Sequence, residues 1–158
     1  MSVLKHTVMF LSSFLLLFSC YAKKADVVDN KDIETDEQRT WASIETMAII
    51  NSERQAKKLK ALQADSSFIC AAQKHVIDIG VNKKCSHTGT DGSSLFARAK
   101  RCSFILTEGV ETIACGKNTS RQAVDGWIES DKQIIFNENY TRFGCDIKDD
   151  YWVCVFGF

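Results

Sequence analysis

Most of the acid–base chemistry open to this chain runs through one histidine. His87 sits in Cys85-Ser86-His87-Thr88, followed by Asp91-Gly92-Ser93-Ser94 and Arg98, and no histidine comes after it. An imidazole serves as acid, base or metal ligand near neutral pH, so its partners decide its use. The other two histidines offer less. His6 lies in the leader, and His75 falls within a helical segment, where it reads as a partly exposed helical histidine. Ser86 precedes His87 directly, and chain neighbours rarely face each other as nucleophile and base. Ser93 and Ser94 suit a helix cap better. The chain has no Gly-x-Ser-x-Gly and no phosphate-cradling glycine loop.

The seven cysteines are the second chemical signal. With Cys20 set aside, Cys70, Cys85, Cys102, Cys115, Cys145 and Cys154 remain, with no Cys-x-x-Cys among them. An even set of this kind in an exported chain predicts three disulfides rather than a zinc site. Export is predicted independently. Lys5 precedes an apolar run from Val8 to Phe18, which is a secretory signal and too short for a stable membrane span. Two exits from it compete. Cleavage after Ala22 makes residues 1–22 the signal peptide. Alternatively, Leu17-Phe18-Ser19-Cys20 is a lipoprotein box, the signal is 1–19, and Cys20 becomes the lipidated N-terminus.

Residues 23–40 are charged and poor in apolar groups, so they read as a solvated tether ahead of a domain at 41–158. Formal charge is balanced at zero, which suggests neither nucleic acid nor an anionic membrane surface as partner. Membrane contact is then expected only through a lipid on Cys20, and the domain is expected to be a monomer. Asn118-Thr119-Ser120 and Asn139-Tyr140-Thr141 fit the glycosylation sequon, which has meaning only in a eukaryote.

The elements that must position these groups follow from periodicity and caps. A first helix is predicted from Trp41 to Lys58, burying Ile44, Met47, Ala48 and Asn51. Asp65 or Ser66 caps a second helix, with Ile69, Ala72, Val76 and Ile79 at helical spacing and Gly80 as its stop. A short helix spans Ser93 to Lys100. Thr119 to Gln122 opens another, carrying Ala123, Val124, Trp127 and Ile128. From Thr141 the period becomes two, and a hairpin turning at Asp149-Asp150 sets Phe143, Cys145 and Ile147 against Phe156, Cys154 and Trp152. That register brings Cys145 and Cys154 together at a non-hydrogen-bonded pair, close enough to bridge. For the remaining cysteines, Cys70–Cys85 and Cys102–Cys115 are the expected pairs. Helices around an antiparallel hairpin make an α+β domain.

Several short motifs recur in order. After His87 come Glu111-Thr112-Ile113-Ala114-Cys115-Gly116, Ala123-Val124-Asp125-Gly126-Trp127, Tyr140-Thr141-Arg142-Phe143-Gly144, and Tyr151-Trp152-Val153 with Phe156-Gly157. Asn51 and Arg54 add an Asn-x-x-Arg pattern ahead of them. The set resembles the CAP superfamily (cysteine-rich secretory proteins, antigen 5 and pathogenesis-related 1 proteins), most closely its bacterial SCP-like extracellular branch. The resemblance covers roughly Ile44 to Phe158. It implies a three-layer α-β-α sandwich with a central antiparallel sheet, stabilised here by disulfides.

The resemblance also implies a cleft lined by two histidines and one or two acidic residues. His87 matches the first histidine. Glu111 matches the acid, although Thr112 replaces the usual asparagine beside it. A carboxylate there orients the ring, which makes a base, an acid or a pair of metal ligands. Alternatively, the contact merely ties a loop to the sheet. The second histidine is missing: Asp131, Lys132 or Gln133 stands in its segment, and Glu129 is the candidate for a second acid. His87 is therefore the one metal-ligand candidate, and no cofactor is expected beyond weak or partial zinc binding. Two functions follow. One is an exported, non-enzymatic binding module for a lipid, envelope or host ligand, with a degenerate cleft. The other is a protease-like hydrolase using His87 and Glu111. Its place is expected to be secreted or periplasmic, or lipid-anchored at the envelope.

Overall fold

The structure is a computed structural model that describes residues 35–158, so the signal, Cys20 and residues 23–34 of the tether lie outside it. Thr35 opens the first helix, α1 (Asp36–Ala56), through a reciprocal capping box with Gln38. The helix thus begins earlier than the predicted Trp41, and residues 36–40 are helical rather than tether. Its buried stripe is also rotated from the expected one. Ser43, Thr46, Met47, Ile50 and Arg54 face inward, whereas Ile44 and Ala48 are exposed. Polar groups with specific partners displaced apolar ones: the Ser43 hydroxyl donates to the Cys145 carbonyl, and Arg54 donates to the carbonyls of Lys60, Ile135 and Asn137.

Next come the two-residue β1 (Gln63–Ala64) and α2 (Ser66–Asn82), whose N-cap is Asp65, as predicted. Gly80 does not stop α2. Lys83 does, in the left-handed conformation, and Gly80 instead makes room for the side chain of Lys148, which a Cβ would meet at 2.8 Å. Then follow α3 (Leu95–Arg101), capped by Ser94, β2 (Gly109–Cys115), α4 (Ser120–Ser130), capped by Thr119, and α5 (Lys132–Ile135). The hairpin of β3 (Arg142–Lys148) and β4 (Tyr151–Gly157) completes the domain.

The sheet order is β1-β3-β4-β2. The β3–β4 register is the predicted one, pairing Phe143 with Phe156, Cys145 with Cys154, and Ile147 with Trp152. Strand β2 pairs antiparallel with β4, while β1 pairs parallel with β3, so the sheet is mixed rather than wholly antiparallel. Both faces are covered, which is why every residue of β4 is buried. On one face Phe143, Cys145, Ile147, Trp152 and Phe156 pack with Met47 and Ile50 of α1 and Val124 and Trp127 of α4. On the other, Val153 and Val155 pack with Phe68, Ala72, Val76 and Ile79 of α2 and Leu95 of α3. The fold is thus α+β, a sheet between two helical layers.

Three disulfides cross-link it. Cys145–Cys154 bridges the hairpin as expected. The other two are Cys70–Cys102 and Cys85–Cys115, not Cys70–Cys85 and Cys102–Cys115. Helix geometry explains the correction. Cys70 lies near the start of α2 and Cys85 beyond its end, so about 20 Å of helix rise separates them. Each instead meets a partner on a packed neighbour: the end of α3 for Cys70, the end of β2 for Cys85.

Candidate functional site

The Glu111 side chain leaves β2 on the face covered by α2 and α3. There it meets two imidazoles and a guanidinium. Arg98, on α3, donates from one terminal nitrogen to both carboxylate oxygens, at 2.8 and 2.7 Å. Both side chains are almost fully buried. The same guanidinium also donates to the carbonyls of Ser93 and His87, which pins the loop after α2 to the sheet.

His87 Nδ1 lies 3.1 Å from Glu111 Oε1. A carboxylate only accepts, so Nδ1 donates in this hydrogen bond. The His87 side chain is 67% exposed, so much of the ring is open to solvent.

His75 is the residue that sequence reasoning misplaced. It is fully buried, not partly exposed, and its Nε2 lies 2.8 Å from the Ser86 carbonyl and 3.6 Å from Glu111 Oε1. The Ser86 carbonyl fixes the proton on Nε2. Burial pushes the His75 pKa below its ordinary value; Arg98 pushes the same way, and Glu111, Ser86 and Asp78 oppose the shift only in part. The ring is therefore neutral at pH 7.

The consequence for stability has a definite sign. The folded state resists protonation and the unfolded state does not, so His75 costs nothing above about pH 6.5 and destabilises as pH falls below it. The expected loss is at most about 1.4 kcal/mol per pH unit, down to the depressed folded-state pKa. Urea unfolding at pH 7.5, 6.5 and 5.5 tests this. The wild type should weaken more steeply than His75→Gln, and parallel pH profiles would refute the assignment.

Arg98 and His75 complete the cluster, and both had a visible signal. Arg98 closes the motif that begins at Cys85. His75 sits one residue before the buried Val76, on the turn facing the sheet.

The remaining candidates lie elsewhere. Glu129 lines an open groove of about 480 Å³ between the end of β2 and α4, together with Ile113, Lys117 and Trp127; His87 and Glu111 do not line it. Asp131 sits at the α4–α5 junction, where its carboxylate accepts from Ser130, while Lys132 and Gln133 are exposed. No hydrogen bond or ion pair joins Glu129, Asp131, Lys132 or Gln133 to His87 or Glu111. Among the described residues, no group of three or more His, Cys, Asp or Glu side chains is arranged to hold a metal ion. The structure thus brings together His87 and Glu111 of the predicted site, adds Arg98 and His75, and leaves the others apart.

Known proteins share this arrangement of helices and sheet. An extracellular protein of Bacillus anthracis containing an SCP domain superposes with a TM-score of 0.71 at 22% identity, covering 75% of this chain and 41% of its own. A cysteine-rich secretory protein of Staphylococcus aureus gives 0.65 at 19%, covering 77% and 40%. The chain thus spans about two fifths of each of those proteins. An outer surface protein of Borrelia burgdorferi gives 0.66 at 25%, covering 79% of this chain and 95% of its own. No curated protein matches the chain. Residues 47–156 match the model of the cysteine-rich secretory protein family, CAP, and the chain belongs to that family.

Proposed function

We propose that this CAP domain is an exported binding module whose His87–Glu111 site is structural rather than catalytic. The observation that carries the reading is the commitment of Glu111. Both of its oxygens accept from Arg98, a buried permanent cation, and the carboxylate is therefore engaged in holding α3 and the His87 loop on the sheet. A general acid–base pair needs a second group poised across from the first. The segment that would supply it, Asp131 to Gln133, makes no hydrogen bond or ion pair with His87 among the described residues. Binding then rests on surfaces and grooves outside this cluster.

Export is supported by the secretory signal that the sequence leads one to expect at its start, by three disulfides of the kind that persist in oxidising compartments, and by structural relatives that are extracellular and outer surface proteins. A lipid on Cys20 would hold the module at the envelope. The hydrolase reading retains one favourable feature: the exposed His87 ring, oriented through Nδ1 by Glu111.

Peptide turnover and metal content separate the two. The purified exported protein is expected to cleave a mixed fluorogenic peptide library no faster than His87→Ala, and to hold zinc well below one ion per chain. His87 is exposed, so that variant should fold normally. Turnover lost in His87→Ala, or a full equivalent of zinc lost in it, would overturn the reading.

A further inference from the structure

The two edges of the sheet are treated differently. At the β3 edge, β1 pairs with Arg142 and Phe143, and beyond it the Ser43 hydroxyl takes the Cys145 carbonyl. At the other edge, β2 has β4 on its inner side and, among the described residues, no strand outside it.

The register shows which main-chain groups that leaves. Cys145 and Cys154 face each other with Cα atoms 4.1 Å apart, the spacing of a non-hydrogen-bonded pair, so the amide and carbonyl of Cys154 point toward β2. Their partner there is Thr112. Its neighbours in alternation, Glu111, Ile113 and Cys115, consequently turn their N–H and C=O groups outward. Glu111 is nearly covered, but Ile113 and Cys115 are only half-buried.

Proteins protect such edges with lysine, proline or a bulge. Strand β2 has none of these: its sequence is Gly-Val-Glu-Thr-Ile-Ala-Cys, and its pairing with β4 runs unbroken from Gly109 to Cys115.

The groove of about 480 Å³ runs beside this same stretch. One wall is the outer edge at Ile113 and Cys115, and the other is α4 at Gly126, Trp127 and Glu129. Trp127 is 1% exposed, and its indole N–H has no acceptor among the described residues. The Lys117 side chain reaches across to Gly126, where a Cβ would meet its Cε at 3.6 Å. The rim therefore carries one charge of each sign, Lys117 and Glu129, beside an apolar floor.

We propose that this groove docks an extended peptide segment of a partner protein, which pairs as an added strand with the outer edge of β2 at Ile113 and Cys115. The main chain of the guest meets the outward amides and carbonyls. Alternate side chains enter the groove against Trp127 and Gly126, and charged side chains beside them pair with Lys117 and Glu129. This rests on the binding-module reading and names its partner as peptide rather than lipid.

The test uses the full exported protein, isotope-labelled, with random peptides of about twelve residues displayed on phage as the probe. Selected peptides are expected to slow hydrogen exchange at the Ile113 and Cys115 amides by about tenfold or more, while the Thr112 amide, already paired with β4, is unchanged. Gly126→Leu fills the groove. The new Cβ meets only Lys117 at ordinary contact distance, and leucine favours the helix, so the variant should keep its thermal stability and bind these peptides about tenfold or more weakly.

Failure to select any peptide, binding that leaves both amides unprotected, or binding indifferent to Gly126→Leu would overturn the proposal. Protection of the same amides by self-association without peptide would assign the edge to a second copy, and would also overturn it. These failures leave the binding-module reading standing, because that reading falls only on His87-dependent turnover or zinc.

Discussion

Arg98→Met is expected to destabilise the domain by about 3–5 kcal/mol, the usual cost of leaving one buried partner of an ion pair without the other. Glu111 is buried, and among the described residues Arg98 is the only permanent cation bonded to its carboxylate. Neither histidine replaces that charge: His75 is held neutral by burial, and His87 offers an exposed ring at one oxygen. The loss extends beyond electrostatics, because the same guanidinium holds the Ser93 and His87 carbonyls. Without it, the loop carrying His87 is released from β2. The double variant Arg98→Met/Glu111→Leu removes both charges and should recover much of the loss, since apolar replacements of a buried pair are often neutral. Urea unfolding of the two single variants and the double gives the coupling directly. A cost below about 1 kcal/mol for Arg98→Met would mean that the carboxylate does not depend on it.

Gly144→Ala is expected to be at least as damaging as typical overpacking, about 3 kcal/mol or more. Gly144 lies in β3 under the first turn of α2. A Cβ there would sit 2.5 Å from the Phe68 carbonyl carbon and 2.7 Å from Ile69 Cα. These are main-chain atoms of a helix fixed by Cys70–Cys102, so no side-chain rotation relieves the clash. Either α2 lifts from the sheet, which opens the layer of Phe68, Ala72 and Val76, or β3 moves away from β4. The same substitution at Gly116 separates packing from conformation. Gly116 has a positive φ and nothing within 4 Å of a built Cβ, so Gly116→Ala should cost only the left-handed penalty, about 1–2 kcal/mol. Melting temperatures of the two variants decide the matter. Equal shifts would refute the close-packing role of Gly144.

The reading of the fold from sequence succeeded where one local signal sufficed. The C-terminal hairpin is the clearest case. Alternation with period two, two cysteines in register and a turn at Asp149-Asp150 determined which residues pair, and β3 and β4 pair that way. Helix starts at Asp65, Ser94 and Thr119 were equally legible, because a cap is a local hydrogen bond between near neighbours. The CAP family was legible for a different reason: short motifs in a fixed order record a shared scaffold even where each motif alone is weak.

What went astray depended on contacts between distant segments. The buried face of α1 could not be read from hydrophobicity, since Ser43 and Arg54 are buried by the partners they reach on β3, the loop after α1 and the α5 segment, and the buried Thr46 hydroxyl is satisfied by the Ala42 carbonyl of its own helix. Gly80 looked like a helix stop, because glycine often is one; its use is to admit Lys148 from another strand. The disulfide pairing failed because distance along the chain was a poor guide once a rigid helix lay between Cys70 and Cys85.

The candidate site divides along the same line. The residue types and the His87–Glu111 match were present in the chain, and an acid–base or metal-ligand pair and a structural tie were both open to them. Only the packing of α2 and α3 against β2 brings in Arg98 and buries His75, and that burial sets the state of the cluster. A carboxylate in a low-dielectric interior must be paired, and Arg98 is brought to it by the fold rather than by sequence proximity to Glu111. The free edge of β2 and its groove are likewise products of sheet order, which no single stretch of the chain encodes.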